Sequence, residues 1–474
     1  MGSMAQSRIQ TLLDEGSFVE IGKLVTARNT DFNLNETQTP GDGVITGYGT
    51  IDGNLVYIYG QDNSVLNGTI GEMHARKISK LYDMAMTVGA PIVALLNSGG
   101  MRLQEGTDAL EAFATIYQKQ SLASGIIPQI SAIFGTSGGG LAVAAGLSDF
   151  VFIEKEKGKL FLNSPNAIEG NTIAKFDTSD AKFQSETSGI VDDCEEELKI
   201  LTNIRTLIGM LPLNNSEEMA IDKESDDLNR LLVNPVGAKE DAAILVAQLA
   251  DNNQFFECKK HYAKEMVTGF IKLNGMTVGV AANRSKIYDE NANEVEKFEE
   301  TLTVNGAKKA ADFVQFCDAF EIPVLTLTNV KGFEASKEAE ASLARESAKL
   351  TKAFANATVP KINVIIGKAF GSAFTIMNSK SLGADQVFAW PESQIGMMDA
   401  AMAAKIMYPQ AKGEELAKAK ADYDALQNNS ESAARRGYVD AIIAPEETRK
   451  YLIGAFEMLF TKRIDTPYKK HDAK

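Results

Sequence analysis

"PIVALLNSGGM" at residues 91–101 and "PVLTLTNVKGF" at residues 323–333 are two versions of one segment, 232 residues apart. The same offset relates "PQISAIFGTSGGGLAV" (128–143) to "PKINVIIGKAFGSAFT" (360–375), so Pro91 matches Pro323 and Pro128 matches Pro360. Each copy is a proline-led run of Val, Ile and Leu that ends in a glycine turn. A helical stretch follows, then a second apolar run into a second glycine turn. This is a strand-loop-helix-strand-loop unit used twice, and it predicts an α/β fold with two related domains and two related sites.

The repeat extends outward from these loops. "DGVITGYGTIDGNLVYIYGQD" (42–62) alternates about the Asp52-Gly53 pair as a β-hairpin does, and "GEMHARKISKLYDMAMTVGA" (71–90) has helical spacing closed by Gly89. The second half answers with a hairpin about Asn274-Gly275 and a helix in "NGAKKAADFVQFCDAFEI" (305–322). Between the halves lies "NNSEEMAIDKESDDLNR" (214–230), flanked by Pro212 and Pro235 and too polar to bury a core. It reads as a connector, giving domains 1–230 and 231–474. A second polar stretch, "YDENANEVEKFEE" (288–300), predicts a surface loop.

The 474 residues suffice for two cores, and 44% apolar with 23% charged residues is ordinary for a soluble globular chain. A net charge of −15 supplies no field for a phosphate backbone, which argues against a nucleic-acid partner. Cys194, Cys258 and Cys317 are far apart, with no Cys-x-x-Cys pair, so buried thiols in a reducing compartment are expected and no metal. The first residues lack a charged region followed by an apolar core, so the expected location is cytoplasmic, with peripheral attachment to a membrane complex left open.

The glycine turns sit where strands end and backbone N–H groups lack partners. Gly100 and Met101 close one strand, and Gly138, Gly139 and Gly140 close the next. The second half offers Gly332 and Phe333 with Gly371, Ser372 and Ala373. Small residues let an acceptor oxygen approach the main chain, so each pair of loops is a candidate oxyanion hole. One glycine turn alone is more often a tight turn, a close helix–strand contact or a generic phosphate loop; the pairing strengthens the chemical reading. Neither a Gly-x-Gly-x-x-Gly after a unit's first strand nor a Gly-Lys-Ser/Thr is found. Side-chain catalysts are sparse. His74, His261 and His471 are scattered, Arg102 reads as an anion partner or as a lock on a nearby acid, and Glu105, Asp108, Glu111 and Glu334 are acid-base candidates or simple helix-dipole partners.

"NSGGMRLQEG" (97–106), "SGIIPQISAIFGTSGGG" (124–140), "LPLNN" (211–215), the segment 308–333 and "ATVPKINVIIGKAFGSAFTIMNSKSLGADQVFAWP" (357–391) together resemble the biotin-dependent acyl-CoA carboxyltransferases. These include propionyl-CoA carboxylase β subunits and the α subunits of methylmalonyl-CoA and glutaconyl-CoA decarboxylases. The resemblance implies two crotonase-like (ClpP/crotonase) β-β-α superhelix domains in a homo-oligomer, a hexamer or a dimer, with active sites shared between subunits. It also implies that Gly100, Met101, Gly139 and Gly140 hold a thioester enolate. Gly332, Phe333, Gly371, Ser372 and Ala373 then hold the ureido oxygen of biotin.

A biotinylation motif and an ATP-grasp loop are both missing, so the resemblance implies biotin on a separate biotin carboxyl carrier protein. Further partners would be a biotin carboxylase or a membrane sodium-pump decarboxylase subunit. The acyl substrate is a CoA ester, with methylmalonyl-CoA and propionyl-CoA the favoured pair. The chain departs from its relatives at three places. Ser372 stands where a glycine is common. Thr375 occupies the acyl-selecting position where aspartate is common. The stretches 161–171 and 395–409 have their own sequences. Two other readings remain at this stage: a crotonase-like hydratase or isomerase using Glu105 or Glu334, and a non-catalytic acyl-CoA-binding scaffold.

Overall fold

The computed structural model describes residues 3–29, 32, 38–169, 171, 175–216 and 226–464. His471 and residues 217–225 of the expected connector fall outside them. The chain folds as two compact units, Met1–Glu218 and Met219–Lys474. The sequence predicts the junction at 230, but Arg230 donates to the carbonyls of Gln248 and Ala250, and the Leu232 amide donates to Glu446. These bonds tie the end of the acidic run to the second unit.

The first unit contains β1 (Val19–Ile21), β2 (Val44–Ile51), β3 (Asn54–Gln61), β4 (Ile92–Ser98), β5 (Gln129–Gly138), β6 (Phe150–Glu154), β7 (Lys159–Phe161) and β8 (Asp193–Glu195). Its sheet runs β1-β2-β3-β4-β5-β6-β8, antiparallel through β3 and parallel beyond it. Helices Glu72–Val88 and Thr107–Ala123 supply the crossovers between parallel strands. The first buries Ile78, Leu81, Tyr82 and Ala85 and stops at Gly89, whose φ of 73° an L-residue adopts only under strain.

The second unit holds β9 (Phe255–Cys258), β10 (Met266–Leu273), β11 (Met276–Asn283), β12 (Lys286–Tyr288), β13 (Glu294–Lys297), β14 (Thr301–Leu302), β15 (Val324–Val330), β16 (Gly332–Phe333), β17 (Lys361–Phe370), β18 (Gln386–Ala389), β19 (Gln394–Gly396) and β20 (Ala441–Ile442). Its sheet, β9-β10-β11-β15-β17-β18-β20, repeats the order of the first. Each unit has its own apolar core, the first gathered round residues such as Ile92 and Ile133, the second round Leu325 and Val364.

The duplication reaches individual hydrogen bonds. Both hairpin turns place two residues at positive φ, Asp52 and Gly53 at 49° and 84°, Asn274 and Gly275 at 50° and 76°. In each, an upstream aspartate accepts both turn amides: Asp14 at 3.0 Å from each, Asp251 at 3.0 and 2.8 Å. In each, an arginine from a later helix pairs with that aspartate, Arg205 with Asp14 and Arg449 with Asp251.

Two expectations need correction. Residues 288–300 are not a plain loop, because β12 and β13 pair in a two-stranded sheet whose turn is held by Asp289, acceptor for the amides of Asn291 and Asn293. Cys258 and Cys317 are buried, but Cys194, near the sheet edge on β8, is only half-buried. Among the described residues no helix is long and apolar enough to cross a membrane.

Candidate active site

The central strands of each sheet part from one another at matching places. β4 and β5 pair in steady register from Ile92 to Leu96 and slip before Ser98; β15 and β17 slip between Thr328 and Val330. Beyond the slip β5 leaves β6 and pairs with β7, and β17 leaves β18 and pairs with β19. The residues at the slip are Asn97 and Asn329, 232 positions apart. The Asn97 amide is held by Gln61 Oε1 at 3.1 Å, and that of Asn329 by Asn283 Oδ1 at 3.0 Å. Sequence reasoning passed over both asparagines, although their shared place in the repeat is visible.

In the first unit the turn after β4 is closed by Ser98, whose hydroxyl donates to the Gly68 carbonyl at 2.6 Å and accepts the Gly100 amide at 3.0 Å. Gly100 has φ 93°. Its carbonyl accepts the Ile70 amide at 2.8 Å, and Arg102 donates back to Ile70 at 3.0 Å. In a parallel ladder these two bonds turn the intervening N–H, that of Met101, away from Ile70. The loop after β5 lies alongside, since a methyl on Gly100 would come 4.0 Å from the Gly138 carbonyl. Gly139, at φ 58°, spends its own amide on the Phe161 carbonyl at 2.9 Å. This corrects the expectation that Gly139 and Gly100 offer free donors: they shape the turns. Gly140 opens the helix Gly140–Gly146, where first-turn amides have no intrahelical acceptor. The Tyr117 hydroxyl donates to the Gly140 carbonyl at 2.8 Å and anchors this start.

The second unit repeats the design. Leu302 faces Phe333 as Ile70 faces Met101, and the Glu334 amide donates to the Leu302 carbonyl at 3.0 Å as the Arg102 amide does to that of Ile70. Gly371, φ 63°, opens the helix Gly371–Thr375, which packs against β16. Ser372 and Thr375 are exposed and Ala373 is buried. Gly332 and Phe333 open onto a cleft of about 1170 Å³ that Lys331, Lys368, Phe370 and Met402 also line. Gly371, Ser372 and Ala373 lie beside this cleft, on the helix that backs β16, rather than in its wall.

The side-chain candidates divide sharply. Arg102 is fully buried and donates through Nη1 to Asp42 at 2.6 Å and Glu105 at 2.8 Å, and through Nη2 to the Thr69 carbonyl at 2.6 Å. Glu105 also accepts the Glu72 amide at 2.6 Å, which leaves it locked rather than poised over a substrate. His74 is buried in the same network, its backbone amide on Asp42 Oδ2 at 2.7 Å and its Nδ1 2.9 Å from the Asp42 carbonyl. Burial, aided by the charges of Arg102 and Lys77, pulls this imidazole down to about 3, so it is neutral. Asp108 pairs with Arg28, and Glu111 is exposed on its helix. Among the described candidates, only Glu334, which accepts from the Ser336 hydroxyl at 3.0 Å, and the half-buried His261 reach the cleft of the second unit. The arrangement is one of fixed main-chain donors backed by a buried ionic lock.

The carboxyl transferase domain family matches residues 2–473. The chain is 39% identical to the propionyl-CoA carboxylase β chain of Roseobacter denitrificans, across 99% of its own length and 92% of that protein. It is 38% identical to the methylmalonyl-CoA decarboxylase α subunit of Veillonella parvula, across 98% and 92%. Among solved structures, the transcarboxylase 12S hexamer with methylmalonyl-coenzyme A and methylmalonic acid bound superposes with a TM-score of 0.91 at 33% identity, covering 98% of this chain and 92% of that one. The duplicated crotonase-like sheets and these matches place the chain in the carboxyl transferase domain family, as a carboxyltransferase of the propionyl-CoA carboxylase and methylmalonyl-CoA decarboxylase type.

Proposed function

We propose that this enzyme moves a carboxyl group between the α-carbon of a short-chain acyl-CoA and biotin brought by a separate carrier protein, with methylmalonyl-CoA and propionyl-CoA as the acyl pair. The observation that carries the reading is the twinned loop system, Met101 with Gly140 and Phe333 with Ser372 and Ala373. It offers two sets of main-chain donors for a reaction in which two oxygens become negative. Loss of the carboxyl group from methylmalonyl-CoA breaks a C–C bond and leaves its electron pair as a thioester enolate, with charge on the carbonyl oxygen. The first unit's amides hold that oxygen, and Gly100 and Gly139 provide the turns that aim them. Biotin supplies the ureido group that accepts or yields the carboxyl. The second unit's amides hold its oxygen, with Gly332 and Gly371 as the turns. Fixed donors in a site closed to water are each worth a few kcal/mol on such a transition state. The proton for the α-carbon comes from the ureido nitrogen, so no side-chain base is required.

Thr375 selects among acyl groups in this reading, and the protein works as a homo-oligomer. The locked state of Glu105 speaks against hydratase or isomerase chemistry on that residue. Purified protein mixed with methylmalonyl-CoA, malonyl-CoA or glutaconyl-CoA and free biotin tests the proposal. Biotin-dependent appearance of the decarboxylated CoA ester, fastest with methylmalonyl-CoA, is the expected result. Turnover that ignores biotin would overturn it.

A further inference from the structure

The duplication exposes what the second copy added to the common scaffold. Where the first half has Asn67-Gly68, Gly99 and Thr136, the second has Glu299-Glu300, Lys331 and Lys368, each 232 residues on. Two of these additions join in a ring through the asparagine at the register slip. The Lys368 amide donates to Asn329 Oδ1 at 2.9 Å, Asn329 Nδ2 donates to Glu300 Oε1 at 3.2 Å, and the Glu300 carboxylate accepts the Lys368 ammonium. Lys368 is thus held at both ends, and its side-chain freedom is already restricted before a ligand arrives. Its side chain keeps 40% of its exposure and lines the cleft beside Gly332 and Phe333. An ammonium has three donors, and Glu300 does not exhaust them.

We infer that Lys368 is a positioning residue for the carboxyl group in transit, its ammonium aimed by Glu300 and Asn329 at the carboxylate carried on the second unit's side of the reaction. The inference rests on the function proposed above and refines it. The lysine makes and breaks no bond and keeps its proton. It orients an anion next to the amides that serve the ureido oxygen. The corresponding place in the first unit is Thr136, a neutral side chain.

Lys368→Met and Lys368→Arg, assayed for carboxyl transfer from methylmalonyl-CoA to free biotin, test this. Lys368→Met is expected to lower kcat about 10-fold or more while the KM for biotin, the Kd for propionyl-CoA and the urea midpoint stay put, since a half-exposed ion pair adds little stability. Lys368→Arg restores most of the rate. Wild-type kcat in Lys368→Met overturns the inference and leaves the functional proposal standing. A loss matched by a lower urea midpoint and not rescued by arginine also overturns it, by making the pair purely structural. Failure of the wild-type enzyme to transfer to biotin overturns the functional proposal, and this inference with it.

Discussion

The carboxamide of Asn329 lies directly over Gly367, so close that a Cβ there would stand 2.4 Å from Asn329 Oδ1. Asn97 and Gly135 repeat the contact at 2.2 Å. The relationship has a cause in the sheet. Where parallel strands lose register, backbone groups lose their ladder partners, and a side-chain amide takes their place. The flat carboxamide needs the room that only glycine leaves. Gly367→Ala is therefore expected to expel Asn329, free the Lys368 amide and cost on the order of 2 kcal/mol. Urea denaturation checks the stability, and a wild-type midpoint would show that the asparagine is not held there in solution.

The Arg102 guanidinium is the counter-ion for two buried acids. Arg102→Met strands Asp42 and Glu105 without it, at an expected cost of about 3–5 kcal/mol. Because the Arg102 guanidinium also holds the Thr69 carbonyl at 2.6 Å, next to the Ile70 that pairs with Met101, transfer activity should fall in the protein that remains folded. Denaturation midpoint and kcat, measured on the same preparation, check both.

His74 makes stability depend on pH. Its folded value of about 3 lies below the ordinary 6.5, so the unfolded chain binds the extra proton between these limits. The stability is present above pH 6.5 and is lost as pH falls toward 3, with a slope approaching about 1.4 kcal/mol per pH unit. His74→Asn keeps a donor for the Asp42 carbonyl and removes the titration. Its urea midpoint should fall less steeply than the wild type's between pH 6.5 and 4.

Gly139 and Gly140 are adjacent and should respond differently. At Gly139 a methyl meets nothing within 4 Å, and the positive φ of 58° sets the penalty, about 1–3 kcal/mol. At Gly140 a methyl would stand 2.6 Å from Tyr117 Oη and 2.9 Å from the Phe113 ring, so the helix start must move. Gly140→Ala is expected to lose about 100-fold or more in kcat, and Gly139→Ala much less. Equal losses would mean that the helix-start amide is not a donor to the reacting oxygen.

Thr375 is exposed and its hydroxyl donates only to the Gly371 carbonyl, 3.2 Å away. Thr375→Val should change stability by less than about 0.5 kcal/mol. If Thr375 selects the acyl group, the ratio of kcat/KM for methylmalonyl-CoA over malonyl-CoA shifts by about 10-fold. An unchanged ratio removes it from that role.

The repeated Pro-strand-glycine pattern was legible because apolar runs and glycine turns are local signals, and two copies at one spacing cannot both be chance. The strand limits at 92–98 and 324–330, the hairpin turns and the helix ending at Gly89 all follow from such signals. The hairpin β12–β13 was not legible, since its strands are short and polar and form by pairing with each other. The fates of Gly139 and Glu105 were equally hidden, whereas the lock formed by Arg102 was one of the two roles its sequence context offered. Whether an amide is free or a carboxylate is locked depends on partners such as Phe161 and Asp42, distant in the chain.

What the chain's order of residues determined was that there would be two alike units, each presenting glycine-built strand ends, because turn chemistry and hydrophobic periodicity act over a few neighbours. Only the tertiary structure decided which amides at those ends keep a free N–H and which charges stand beside them. Hydrogen bonds are saturable: each donor spent on a remote carbonyl or carboxylate is withdrawn from chemistry, and that accounting closes only when the sheet has folded.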